Sequence, residues 1–327
     1  MVVAIIVVII VVVAVDGKSF TKEQYFDELY NALEKTKIML DKTNYIKSRV
    51  NLETYLKKYY FDERIIRKIK NDYNIRFNNV FLINSKKFYL ISKLYLEKTN
   101  KYFIETAIYF IVLGCLLDAL IDNGLEYQKR EAKNKIDINY CNDYLINFNK
   151  AKENNAIDLL FEKVGEGLKQ IKEIDESYYI EIIELIKRAI ESELYVVSKC
   201  SLDNEKCMIQ NKSILFSVIS LKIALIGNKY DDDIFFSIGE LFALIDDLCD
   251  YFEDKISLQK NIIISKIENE KYDFVINSTV NRLEELLEEI KNKTNKEIYN
   301  FFIFELFDWI LGCPEINERI KQRKWQI

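Results

Sequence analysis

The residues of this chain whose spacing suggests chemistry are carboxylates. Between positions 231 and 255 the sequence runs DDDIFFSIGELFALIDDLCDYFEDK. At helical spacing, Phe236, Gly239, Ala243, Asp246, Asp250 and Asp254 share one stripe, with Asp247 beside it. Aspartates at i, i+4 and i+8 repel one another by a few tenths of a kcal/mol per pair, an effect that a divalent cation reverses. Hard oxygen ligands in a chain with 0 His favour Mg²⁺ over zinc. The competing reading is a solvated acidic face.

An earlier segment repeats the pattern. Ile104, Ile108, Ile111 and Cys115 recur at spacings of three and four, and Asp118 and Asp122 continue the series. These two acids are therefore expected on the apolar stripe, where an unpaired carboxylate costs several kcal/mol and calls for a cation opposite. Acids exposed at the end of a helix are the alternative. Gly239 and Ala243 also admit two readings. A Gly inside a helix costs about 1 kcal/mol against Ala, so something approaches closely there, either a ligand in a pocket or a second helix.

The elements that must hold these groups are helices. The chain has 327 residues, 49% hydrophobic, with 8 Gly and 1 Pro, too few turn formers for sandwiches, barrels or a Rossmann unit. Amphipathic periodicity predicts helices over 20–38, 42–60, 80–97, 101–124, 153–172, 175–200, 208–228, 232–255, 272–293 and 297–312. No long linker and no repeat divides them, so residues 16–327 read as one large all-α domain, a single helical bundle. Residues 1–15 form an apolar segment whose stretch 2–15 contains only Val, Ile and Ala. At 1.5 Å per residue it reaches about 21 Å, short of a hydrocarbon core of roughly 30 Å, which leaves peripheral membrane contact or a first element of the fold.

Composition also excludes function classes. The absence of His removes Ser-His-Asp and Cys-His catalysis and the zinc deaminase site. A net charge of −5 with both signs dispersed gives no basic stripe for nucleic acid. Cys115, Cys141, Cys200, Cys207, Cys249 and Cys313 form no CxxC pair, and their apolar settings read as reduced core thiols of a cytoplasmic protein.

Residues 211–254 resemble the second half of a trans-isoprenyl diphosphate synthase, a family that shares its all-helical fold with the class I terpene synthases. Lys212 and Ser213 match a Lys-Thr pair, Gly239 and Phe242 a Gly and an aromatic, and Asp246, Asp247 and Asp250 the second aspartate-rich motif. GCLLDALID at 114–122 resembles the first motif, with Asp118 and Asp122 as its outer acids and Ala119 replacing its second Asp. The resemblance covers about residues 80–255. It implies an isoprenoid synthase bundle in which Mg²⁺, held by Asp118, Asp122, Asp246, Asp247, Asp250 and Asp254, binds an isoprenyl diphosphate. Lys212, Lys86 and Lys255 would reach that diphosphate, and Gly239, Ala243, Phe236 and Phe242 would line the pocket for its tail. The family's dimers imply a homodimer.

The departures fall on one half of the family's site. No Arg-Arg-Gly follows the first motif, and in SKKFYL at 85–90 only Lys86 matches the Gly-Lys-x-x-Arg of elongating enzymes. Retained metal-binding acids without a second diphosphate site imply a Mg²⁺-dependent class I terpene synthase, a lyase that ionises an allylic diphosphate. A chain-elongating prenyltransferase and a non-catalytic helical partner subunit are the alternatives.

Overall fold

The computed structural model describes residues 20–40, 63–73, 101–123, 143–149, 155–195, 214–227, 232–257 and 261–324. Among these residues the regular elements are helices and none is a strand, as the poverty of Gly and Pro predicts. They are α1 (Lys22–Glu34), α2 (Lys37–Leu40), α3 (Glu63–Tyr73), α4 (Lys101–Asn123), α5 (Ala156–Ile174) and α6 (Glu176–Tyr195). After α7 (214–224) come α8 (Asp232–Cys249), α9 (Tyr251–Ser257), α10 (Ile262–Ile267), α11 (Tyr272–Lys293), α12 (Lys296–Gly312) and α13 (Pro314–Lys324). The expected helices at 42–60 and 80–97, the tract 2–15, Lys86, Lys212, Cys141, Cys200 and Cys207 lie outside the described residues. No helix among the described residues is long and apolar enough to cross a membrane.

Helix starts follow local chemistry. Thr21 and Gln24 form a reciprocal capping box at α1, and Asn155, Asn261 and Asn295 each accept backbone N–H groups at the starts of α5, α10 and α12. Asp72 of α3 adds a cap from a distance, accepting the Ala156 N–H at 2.8 Å. Three helices fall outside the expected ranges. In α3, Ile65 and Ile69 are buried on one face of an otherwise polar helix. α10 is a single capped apolar turn and a half, and α13 starts on Pro314, whose missing N–H is harmless at a first helical position.

α8 lies inside the assembly, with Ile234, Phe235, Ile238, Leu241, Ile245 and Leu248 buried. α11 packs antiparallel to it: Glu240 receives a two-point bond from Arg282, at 3.1 and 2.9 Å, and Ser237 donates to Glu289 at 2.8 Å. α12 packs in parallel, with Phe242 against Phe302 and Trp309. At the N-terminus of α8, Asp232 pairs at 2.8 Å with Lys222 of α7, a lysine 1% exposed that also pairs with Glu181 of α6 at 2.8 Å. One buried ammonium thus joins three helices and fixes where α8 begins. α1 and α13 run side by side, joined by Lys22–Glu315 at 2.5 Å and Arg319–Asp27 at 2.8 Å.

Candidate functional site

The two acid-bearing helices, α4 and α8, share a neighbour. A side chain at Gly114 of α4 would collide with the Phe216 ring, and a Cβ at Gly239 of α8 would stand 2.8 Å from the Ile214 carbonyl oxygen. The first turn of α7 is therefore seated between the two helices, against a glycine on each. Of the two readings of Gly239, a pocket or a neighbouring helix, this contact fits the second. The close approach inferred from an inward Gly is real, but the approaching group is the α7 backbone.

The stripe on α8 is less buried than the apolar stripe of α4. Ile104, Ile108 and Ile111 are buried. By contrast Ala243, Asp246 and Asp250 are half-buried and Phe236 is 36% exposed. Phe236 thus stands at the surface. Phe242, one position from the stripe, is buried against Phe302 and Trp309. The backbone bends at Asp250, so the single helix expected over 232–255 becomes α8 and α9. The Asp250 N–H still donates to the Asp246 carbonyl and the Asp254 N–H to the Asp250 carbonyl, both at 2.9 Å. The helical repeat survives the bend, which keeps Asp246, Asp250 and Asp254 in line.

Four acids in this short span have four environments. Asp246 Oδ1 accepts the Trp309 indole N–H at 3.1 Å. Asp247 Oδ2 accepts the Ile262 N–H at 2.8 Å, which makes Asp247 a cap for α10. Asp254 Oδ2 accepts from Asn261 Nδ2 at 2.9 Å. Asn261 is itself buried; its Nδ2 also donates to the Asp247 carbonyl at 2.7 Å, and its Oδ1 accepts the Ile263 and Ile264 N–H groups. The Asp250 carboxylate receives no hydrogen bond among the described residues. Burial, followed by repulsion from Asp254, Glu253 and Glu315, pushes its carboxyl up to about 6.

Lys255 follows Asp254 but takes another direction. Its ammonium bonds the Tyr251 hydroxyl at 3.1 Å and stands 5.3 Å and 6.0 Å from the centroids of the Tyr251 and Phe20 rings. Those rings belong to an aromatic cluster with Tyr25, Phe252 and Tyr272. One residue of helix rotates a side chain by about 100°, so Lys255 shares the face of Tyr251 while Asp250 and Asp254 share the next.

Asp118 and Asp122 lie on the α4 backbone, and their side chains fall outside the described part of the structure. Among the described residues no three Asp, Glu or Cys side chains form a group that could hold a metal ion. Asp246 and Asp250 are oxygen donors of the type Mg²⁺ prefers.

Sequence patterning alone missed Trp309 and Asn261. A signal existed for each: a Trp set in the apolar run of α12 needs a partner for its N–H, and an Asn directly before Ile-Ile-Ile reads as an N-cap. No family model and no curated protein matches the chain.

Proposed function

We propose that the protein is a Mg²⁺-dependent lyase of the class I terpene synthase type, acting on an isoprenyl diphosphate. The observation that carries this reading is the state of Asp250. A half-buried carboxylate with no hydrogen-bond donor among the described residues, raised to about 6 by burial and by its acidic neighbours and one turn from Asp246, is a place where a cation relieves repulsion. In this proposal Asp246 and Asp250 supply ligands from α8, and Asp118 and Asp122 supply the remainder from α4. Mg²⁺ would stabilise the departing diphosphate. The glycine contacts made by α7 support the pairing of these helices, because they bring α4 and α8 against one common turn.

Asp247 and Asp254 have a smaller part here than the family resemblance implies. Their oxygens Oδ2 already serve as acceptors for the start of α10, so their role in this proposal is to hold the acidic end in shape. The same intramolecular use of acids favours a second reading, a helical partner subunit without catalysis. One assay decides between them. Incubation with geranyl, farnesyl and geranylgeranyl diphosphates and Mg²⁺, with and without isopentenyl diphosphate, gives hydrocarbon and free diphosphate on the lyase reading. A longer diphosphate indicates chain elongation. No turnover of any substrate overturns the enzyme readings.

A further inference from the structure

Phe20, just before α1, is held between α9 and α11. Its ring stacks on Tyr272, the first residue of α11, with centroids 4.5 Å apart, and lies 5.9 Å from Tyr251 of α9. The Lys255 ammonium stands 6.0 Å from the same ring. Beside these holders are two outward apolar side chains: Ile256, next to Lys255 and 80% exposed, and Phe274, two residues beyond Tyr272 and 61% exposed. Ile256 is the most exposed large apolar side chain among the described residues. Neither belongs to a frayed end, because Tyr251 in α9 and Val275 and Ile276 in α11 are buried. The helices are seated, and a rotation of about 100° per residue turns Ile256 and Phe274 away from the core.

We propose that Ile256 and Phe274, together with the apolar tract at 2–15, form one face that docks on a zwitterionic lipid bilayer. Five residue steps separate Val15 from Phe20, at most about 17 Å of extended chain, so the tract reaches the same membrane interface as the two side chains that flank Phe20. The tract's composition selects the occupant. Containing only Val, Ile and Ala, it has no polar side chain to turn toward water in any conformation. A second protein surface would cover one side of it, whereas acyl chains surround it. Its length falls short of the hydrocarbon core, so the contact is interfacial and does not span. A single short apolar insertion binds a bilayer only marginally, and a second insertion point on the folded body strengthens the hold. The headgroup follows from local charge. Around Ile256 and Phe274, Glu253, Asp254, Glu270 and Asp273 outnumber Lys255 and Lys271, which gives anionic lipid no attraction. The docking face goes beyond the lyase reading and stands whether or not the chain turns over a diphosphate.

The experiment floats the full chain with vesicles of phosphatidylcholine, and with vesicles of an equal mixture of phosphatidylcholine and phosphatidylserine. The expected result is co-flotation with phosphatidylcholine that phosphatidylserine does not strengthen. The double variant Ile256→Ser, Phe274→Ser should bind phosphatidylcholine vesicles about tenfold more weakly while keeping its melting temperature, since both side chains are exposed. Val8→Asp, which sets a charge within the tract, should weaken binding at least as much. Unchanged vesicle affinity in the double variant overturns the shared face and leaves the tract as the sole anchor. Failure of the wild type to float overturns docking altogether; a dimer in size-exclusion chromatography that Val8→Asp dissolves would then identify a second copy as the occupant, and a monomer would mean that the tract covers its own fold. Binding that requires phosphatidylserine overturns the apolar mechanism.

Discussion

Trp309 of α12 donates its indole N–H to Asp246 of α8 across 3.1 Å, so this acid is held from the side by a helix that begins 50 residues further along the chain. The contact fixes the carboxylate's direction, since one oxygen is committed to the indole. Trp309→Phe keeps a ring against Phe242 and removes the donor. We expect stability to fall by about 1.5–3 kcal/mol, the usual loss for a hydrogen bond to a charged group, and, if the proposed lyase activity holds, diphosphate release to fall about tenfold as Asp246 gains freedom. Urea unfolding and diphosphate release on one preparation check both; full activity would show that Asp246 needs no orientation.

Asp250 predicts a dependence on pH. Its carboxyl is raised from 3.8 to about 6 by burial first and by Asp254, Glu253 and Glu315 next. A folded-state value above the unfolded one means that the group's contribution is complete below the unfolded pKa and is lost as pH rises through the folded pKa. Asp250→Asn therefore stabilises the protein at pH 7, by roughly 1–2 kcal/mol after allowance for solvent screening, and leaves stability near pH 4 unchanged. Melting curves at the two pH values test this. Added Mg²⁺ should raise the melting temperature of the wild type more than that of the variant.

Gly239 and Gly312 should respond oppositely to the same substitution. At Gly239 a Cβ meets backbone atoms of Ile214 at 2.8 and 3.1 Å, while at Gly312 nothing lies within 4 Å. Gly239→Ala overpacks a helix contact and should lose about 1–3 kcal/mol despite its better helix propensity. Gly312→Ala, at the exposed end of α12, should gain a few tenths of a kcal/mol. Equal melting temperatures for the two variants would refute the close approach of α7.

Asn261 joins α8, α9 and α10 through one side chain. Asn261→Ala removes a helix cap and both donors to the Asp247 carbonyl and Asp254, and should cost about 2–3 kcal/mol. Asn261→Ser restores the cap without those donors, so it should recover part of that loss. Full recovery would mean that Asp247 and Asp254 gain nothing from the amide.

Much of the fold was legible because helix formation is encoded locally. The range 272–293 expected for α11 is the range found, since apolar periodicity and the Asn-rich break after it are properties of adjacent residues. The alignment of Asp246, Asp250 and Asp254 was legible for the same reason: a repeat of 3.6 residues fixes which side chains share a stripe. α3 and α13 escaped because a short helix with few apolar positions gives a weak periodic signal.

What those carboxylates do is decided between helices. The sequence by itself placed Gly239 facing inward, but whether a ligand or a backbone filled that space depended on α7, whose contact with α8 no local pattern contains. It likewise gathered four similar acids at one helix end without distinguishing them. Trp309 directs one, Asn261 and the α10 backbone engage two, through partners 7 to 63 residues away in sequence, and Asp250 is left among like charges. Periodicity reports the face of a helix, whereas hydrogen-bond geometry and desolvation depend on the neighbour to which that face turns, and only tertiary packing chooses the neighbour.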